Sequence, residues 1–326
     1  MKILITGTAG FIGFHLAKRL LESGCAVCGV DNLNPYYSVK LKEARNRELR
    51  RFPLYKFEKL DIADKLALQN VFETYNPEIV VNFAAQAGVR HSLLHPEDYI
   101  HSNVIGFLNI LECCRHAKLM PKLLYASSSS VYGGNVEMPF YESHVTDSPV
   151  SLYAATKKTD ELMAHCYSHL YDLQTIGFRF FSVYGPWGRP DMASWLFASA
   201  MEEDRPIKVF NSGNLLRDFT YVDDIIDGVM GCLNNIEHLS MYEFFNVGNH
   251  RPERLRDMID IIAHEMGCSN PQMIMLPMQP GDIQTSYASI DKIHKATGYT
   301  PKTPISIGLP RFCEWYKRWR AGEFEQ

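Results

Sequence analysis

The chain opens on a short apolar run, Ile3-Leu4-Ile5, that passes straight into Gly7-Thr8-Ala9-Gly10-Phe11-Ile12-Gly13 and from there into an amphipathic stretch over residues 11–23. Few architectures accept that order. A buried strand that turns on glycines and starts a helix at once lets the backbone approach a pyrophosphate, with its charge on the helix N-terminus. A glycine pattern alone is weak evidence, and a tight turn without a ligand has the same glycines. Here the strand before it and the helix after it are the required context. Asp31 closes the next apolar run, 18 residues beyond Gly13. A carboxylate there is placed to hold the adenosine ribose hydroxyls and would repel a 2′-phosphate, which favours NAD over NADP.

The following segments keep the rhythm. Residues 26–30, 54–60, 79–83, 123–126 and 175–181 read as apolar strands, separated by helical stretches that include a basic one ending near Arg51. Short apolar strands alternating with helices predict a parallel sheet covered on both faces, a doubly wound Rossmann-type α/β fold. After about Tyr184 the pattern loosens and prolines at 186, 190, 206, 252, 271, 277 and 280 punctuate it. A smaller, loop-rich C-terminal substrate domain is expected there. The stretch 217–234 reads as a strand and helix returning to the first domain. The expected division is therefore residues 1–185 plus about 217–248 for the dinucleotide, and about 186–216 with 249–326 for the substrate.

Composition narrows the functional classes. A net charge of −4 gives no reason to expect nucleic acid. No apolar run approaches 18 residues, so no membrane span is expected. The first residues run directly into the glycine loop, and no secretory leader is expected. Eight cysteines are scattered without a framework. Cys25 and Cys28 have CxxC spacing in a predicted strand, where residues three apart face opposite ways, and no second pair completes a zinc site. Reduced thiols and a cytoplasmic location follow. His91, His95 and His101 cluster, but their spacing matches no metal-binding pattern, and no metal is expected. The run Arg311–Arg320 reads as a helix packing Phe312, Trp315 and Trp319 inward, rather than as a membrane-surface helix.

Tyr153 and Lys157 stand four residues apart, on one face of a predicted helix. A nearby cation favours a phenolate, so the pair can serve as a general base toward a substrate hydroxyl. By itself this spacing suits many solvated helix faces. Ser127–Ser130 lie shortly upstream.

With these motifs in place, the chain resembles the extended short-chain dehydrogenase/reductases that act on nucleotide sugars, from Met1 to about Thr300. Its glycines are spaced GxxGxxG, as in that family. The resemblance implies cofactor contacts at Gly7, Gly10, Phe11, Ile12, Gly13, Asp31 and Asn32, at Asp61 and Ile62, and along Phe83, Ala84 and Ala85. It also implies a catalytic trio of Ser128, Tyr153 and Lys157. Ser128 would hold the reacting sugar oxygen and Tyr153 would move the proton. Lys157 would tune Tyr153 and bind the nicotinamide ribose.

Relatives that dehydrate carry Thr-Asp-Glu before Val-Tyr-Gly, and decarboxylases carry Thr-Ser-Glu. This chain has Ser128-Ser129-Ser130 before Val131-Tyr132-Gly133. Serines near neutral pH neither take a C5 proton nor protonate a leaving hydroxyl well, which argues against elimination. Reversible hydride transfer at C4 remains. Phe180-Phe181-Ser182-Val183-Tyr184-Gly185-Pro186-Trp187-Gly188-Arg189-Pro190-Asp191 resembles the subgroup acting on UDP-hexuronates. That implies C4 epimerisation of UDP-glucuronate to UDP-galacturonate, with Arg189 and Ser182 clamping the C6 carboxylate against loss of CO₂. The plainer reading of Arg189 is a loop arginine paired with Asp191. The resemblance further places Gln86, Arg90, Ser129, Val209, Arg217 and Asp282 at the UDP-sugar. Gln279 stands where many relatives have an arginine. The alternatives are a UDP-glucose or UDP-N-acetylglucosamine 4-epimerase, a UDP-glucuronate decarboxylase, or a non-catalytic NAD-sensing protein. Wide apolar faces around residues 99–117 and 152–173 lead to the expectation of a homodimer.

Overall fold

The computed structural model describes residues 1–278 and 284–324. Its first compact unit comprises Met1–Gly133, Glu142–Phe180 and Cys232–Phe245. The unit alternates as expected: β1 (Lys2–Thr6), α1 (Phe11–Glu22), β2 (Ala26–Asp31), α2 (Val39–Leu49), β3 (Tyr55–Lys59), α3 (Lys65–Tyr75) and β4 (Ile79–Asn82). It continues with α4 (Pro96–Tyr99), a π-helical segment Ile100–Ile105, α5 (Gly106–His116), β5 (Lys122–Ser128), α6 (Leu152–Tyr171) and β6 (Thr175–Phe180). Strands β1, β2, β4, β5 and β6 are almost wholly buried apolar runs, as a sheet covered on both faces demands. The seven-stranded sheet has the order β11-β6-β5-β4-β1-β2-β3, with β11 at Tyr242–Val247. The pairings from β6 through to β3 are all parallel.

Strand β1 lies between β2 and β4, so the chain runs one way across the sheet and then crosses back. Open α/β sheets bind ligands at the carboxyl ends of the strands where that reversal occurs. Core packing beneath it comes from Leu4, Val30, Val80, Leu123, Phe107 and Ile110.

The second unit comprises Gly134–Tyr141, Phe181–Gly231 and Asn246–Gln326. It holds β7 (Ser182–Tyr184), α7 (Ala193–Glu202), β8 (Ile207–Phe210), β9 (Leu216–Arg217), β10 (Phe219–Tyr221) and most of α8 (Val222–Asn234). Beyond β11 come β12 (Glu253–Arg254), α9 (Leu255–Met266), β13 (Met273–Leu276), β14 (Thr285–Ser286), α10 (Asp291–Thr297) and α11 (Ile305–Arg320). Three small sheets knit it together, in the orders β10-β7, β12-β9-β14 and β13-β8. The sequence reading returned residues 217–248 to the first domain, whereas 217–231 group with the second unit. The cause is packing on α8: a Cβ at Gly228 would meet Val247 and Tyr299, one at Gly231 would meet Thr297, and Asp224 accepts from the Thr303 N–H at 2.9 Å.

All four tryptophans of the chain, 187, 195, 315 and 319, pack in one aromatic cluster of this unit. Phe312 and Trp315 are buried on α11, and Trp319 is half-buried. Asp218 is the polar centre of the unit. Its buried carboxylate accepts from Thr220 Oγ1 at 2.8 Å and from the N–H groups of Asn249, His250 and Ala288 at 2.6, 3.1 and 3.0 Å. Burial pushes its pKa up to about 6, against the pull of those donors.

Candidate active site

The glycine loop is held by contacts that exclude any side chain. Gly7 has φ +79°, and a Cβ there would sit 2.7 Å from Ala84 N. A Cβ at Gly13 would meet Gly7 O at 2.2 Å. These positions are glycine because the turn after β1, the start of α1 and the chain leaving β4 are in backbone contact. The N-cap of α1 is Gly10, which offers no side chain to its first turn. That turn therefore presents amide groups toward an anion.

Asp31 ends β2 and is buried, with its carboxylate accepting from Ala9 N at 3.1 Å and Leu33 N at 2.8 Å. Burial raises its pKa, and Lys42 pulls in the other direction. Asn32 donates to Asp61 Oδ2 at 2.9 Å, so these two predicted cofactor residues share one network. Ile62 is buried against Gly106, with its side chain committed to the core. Phe83, Ala84 and Ala85 follow β4 and are half-buried, with Ala84 N donating to Thr6 Oγ1 at 3.1 Å. A glycine cradle at the strand reversal, an uncapped helix start and a carboxylate at the end of β2 fit a dinucleotide.

The three residues expected to be catalytic sit on β5 and α6, which pack together. Ser128 is the last residue of β5. Its hydroxyl accepts from Ser130 N and donates to Ser130 Oγ, both at 3.1 Å. Ser151 caps α6 by accepting from Ala154 N at 3.1 Å. Tyr153 follows in the first turn, half-buried, its ring edge-on to Tyr99 with centroids 6.0 Å apart. One turn on, the buried Lys157 donates to Ala126 O at 2.9 Å and to Asp160 Oδ2 at 3.0 Å. An ammonium has three donors, and these contacts use two of them.

Several members of this arrangement escaped the sequence reading. Asn103, on the π segment, accepts from Gln86 N at 2.8 Å and donates to Gln86 O and to Thr156 Oγ1. Thr156 in turn donates to Tyr153 O at 2.9 Å, so one chain of bonds runs from the predicted sugar-binding loop to the backbone of Tyr153. Glu161 is also buried. It accepts from Ser127 Oγ and holds Arg179 by two bonds of 2.8 Å.

The predicted sugar residues are less uniform. Gln86 is buried, and its Nε2 has no hydrogen-bond partner among the described residues. A donor left in that state suits a ligand oxygen. Arg90 is exposed, and Ser129 is half-buried in the turn after Ser128. In the second unit, Ser182 stands on β7 and donates its N–H to Asp218 O at 3.1 Å. Arg189 is held by Asp191, Nε to Oδ1 at 3.0 Å and Nη2 to Oδ2 at 2.8 Å, so its fork already faces a carboxylate of its own loop. Val209 is 1% exposed on β8, which removes its side chain from any ligand contact and leaves its backbone. Arg217 donates to the carbonyls of Leu216 and Gln284. Asp282 and Gln279 lie outside the described residues. The His91 ring lies tilted against those of His95 and Tyr36, and no group of three His, Cys, Asp or Glu side chains suits a metal among the described residues. All eight cysteines are unpaired. No described helix is long and apolar enough to cross a membrane.

A doubly wound dinucleotide fold with serine at the end of β5 and tyrosine and lysine one turn apart on α6 defines the short-chain dehydrogenase/reductase class, in its extended form. Within it, residues 3–248 match the model of the NAD dependent epimerase/dehydratase family, and the chain belongs to that family. It is 47% identical to Protein CapI of Staphylococcus aureus, over 97% of this chain and 98% of the relative. Identity is 42% to the probable UDP-glucuronate 4-epimerase of Rhizobium meliloti, over 97% of each. The solved UDP-glucuronic acid 4-epimerase of Bacillus cereus, in complex with UDP-glucuronic acid and NAD, is 32% identical. It superimposes with a TM-score of 0.90, covering 98% of this chain and all of that one.

Proposed function

We propose that the protein is an NAD-dependent UDP-glucuronate 4-epimerase that forms UDP-galacturonate through a transient 4-keto sugar. One observation carries the reading. Ser128, Tyr153 and Lys157 are complete on a dinucleotide fold, and the turn that follows Ser128 offers hydroxyls where dehydration requires an acid and where decarboxylating relatives carry a glutamate. The relatives' names point to the same substrate.

NAD, when bound, supplies the acceptor and then the donor of the C4 hydride. The chain's own residues do the rest. Ser128 holds the C4 oxygen, and Tyr153 takes its proton and later returns it. Lys157 stabilises the phenolate and holds the nicotinamide ribose. Asp31 holds the adenosine ribose, with Asn32 and Asp61 beside it. Gln86 orients the sugar through its unfilled donor, and Arg217 and Asp282 belong to the UDP end. Arg189 and Ser182 receive the C6 carboxylate. Holding that group's C–C bond near the ketone plane slows decarboxylation of the β-keto acid.

The active form in this reading is a cytoplasmic homodimer. Ile105 and Leu108 on one side and Leu162 and Leu170 on α6 are exposed apolar side chains on or beside two helices that pack together. Sedimentation giving a monomer at micromolar concentration would remove the dimer from the proposal.

The test is incubation of the purified protein with UDP-glucuronate, following the anomeric and H4 protons by NMR. UDP-galacturonate without net NADH is the expected result. A pentose product would assign a decarboxylase. Epimerisation of UDP-glucose with UDP-glucuronate untouched would keep the mechanism and discard the uronate.

A further inference from the structure

Epimerisation runs the proton both ways in one turnover, because Tyr153 must accept it and give it back. A lysine acting alone would favour the phenolate in both halves and hinder the return. Lys157 does not act alone. Its ammonium is wedged between Asp160 Oδ2 and Ala126 O, with the Lys157 and Asp160 side chains 3% and 1% exposed. Positions 157 and 160 are one helical turn apart, so α6 fixes the pair without help from a loop. The other oxygen, Asp160 Oδ1, is buried with no partner among the described residues. A buried carboxylate left half-satisfied destabilises the fold, and such groups cluster where function requires them.

We propose that Asp160 is a positioning residue that anchors the Lys157 ammonium against Ala126 O and, as its counter-charge, limits how strongly Lys157 favours the Tyr153 phenolate. This rests on the epimerase reading above.

Other titratable groups face α6 from every element packed against it. They are Tyr125 on β5, Arg179 on β6, Tyr132 in the turn after β5, and Glu112 on α5. His101 on the π segment, Tyr99 on α4, His91 in the turn before α4 and Tyr242 on β11, whose hydroxyl donates to Glu161 O, lie there too. None displaces the pair. Arg179 is bound to Glu161, Glu112 to Tyr167 and Arg115, and Tyr99 to the carbonyls of Ala87 and Gly88. His101 lies 3.6 Å from Asp61, and His91 lies 3.5 Å from Asp98. Tyr125 is held neutral by burial, and the Tyr132 ring lies against the Arg179 guanidinium. Burial pushes Asp160 up to about 7, with Lys157 opposing and Glu161 adding to the rise.

The experiment compares wild type with Asp160→Asn, Asp160→Ser and Asp160→Glu. Epimerisation kinetics are recorded from pH 5.5 to 9, and thermal unfolding of each protein without substrate from pH 4 to 8. Asparagine and serine remove the charge, so the acid limb of kcat should move down by about one pH unit, with KM within about twofold. Glutamate keeps the charge, so the limb should stay in place while kcat falls. A folded-state value raised to about 7 means that ionising Asp160 opposes folding. Wild type should therefore lose Tm relative to Asp160→Asn as pH rises from about 4 to about 7, and the gap should stay constant above that. An even loss of kcat with the limb unmoved overturns the proposal, as does a Tm gap independent of pH. A wild type inert toward UDP-glucuronate would fail the substrate reading instead, and the unfolding series would still decide whether Asp160 is the ionising partner.

Discussion

Replacing Glu161 by alanine is the sharpest test of what fixes the serine end of the site. Glu161 and Arg179 are each 1% exposed. Glu161 receives Arg179 Nε and Nη2 at 2.8 Å each, and Ser127 Oγ at 2.7 Å. Arg179 also lies over the rings of Tyr132 and Phe244, 4.8 and 4.2 Å from their centroids. Burial pulls the pKa of this guanidinium down, but Glu161 more than offsets it and holds Arg179 above its ordinary value. Removing one partner of such a pair leaves an uncompensated buried charge, at a cost of about 3–5 kcal/mol. With an unfolding entropy of roughly 2.1 cal/mol/K per residue over a chain of this length, 1 kcal/mol corresponds to about 1.5 °C. Calorimetry should therefore show Tm falling by about 4–7 °C for Glu161→Ala. The double variant Glu161→Leu/Arg179→Met should lose less than Glu161→Ala, because replacing both charges by apolar groups is often near neutral. A drop below about 2 °C in the single variant, or a double variant that is worse than it, would refute the reasoning.

Tyr153→Phe should retain NAD binding, read by calorimetric titration, and lose turnover by at least a hundredfold; activity near wild type would reassign the base. Asp31→Ala should narrow the preference for NAD over NADP at least tenfold in relative Kd, since it removes the carboxylate that would repel a 2′-phosphate; an unchanged ratio would point to another ribose anchor. Asp218→Ala strands the buried N–H groups of Asn249, His250 and Ala288 at roughly 1–3 kcal/mol each. Tryptophan fluorescence, which reports the second unit alone, should show that unit melting several degrees earlier.

Much of the first unit was legible because its signals are local. Strands β1, β2, β4, β5 and β6 are buried apolar runs that end within two residues of where the sequence puts them, and Gly7 and Asp31 stand at the ends of β1 and β2. The second unit resisted because β9, β10, β12 and β14 are two or three residues long and pair across distance, as Glu253 does with Arg217 and Thr285 with Leu216. No periodicity is visible in two residues. Helix α8 read correctly as a helix, but its partners at Val247, Thr297, Tyr299 and Thr303 lie far along the chain, so its unit could not be read from it. Tyr153 and Lys157 were visible by spacing. Asn103 and Asp160 were not, because a buried polar residue on a helix looks like any solvated one until the packing is known.

Arg189 is where sequence and structure part most usefully. The fork expected to receive a uronate carboxylate is held by Asp191, two residues away. That pair is partly open to solvent, with side chains 20% and 29% exposed. A partly open pair of this kind contributes on the order of 1 kcal/mol, so a substrate carboxylate would displace Asp191 at a penalty of about fivefold in affinity. A neutral C6 gains nothing by displacing it, and the competition itself then selects for a charged sugar. Two variants separate this from a loop brace. Asp191→Asn removes the competitor and should lower KM for UDP-glucuronate by up to about fivefold. Arg189→Ala removes the receptor and should raise KM at least tenfold, or release CO₂ and a UDP-pentose. If Arg189 merely braces its loop, both variants will cost stability alike, and neither will move KM for the uronate relative to that for UDP-glucose.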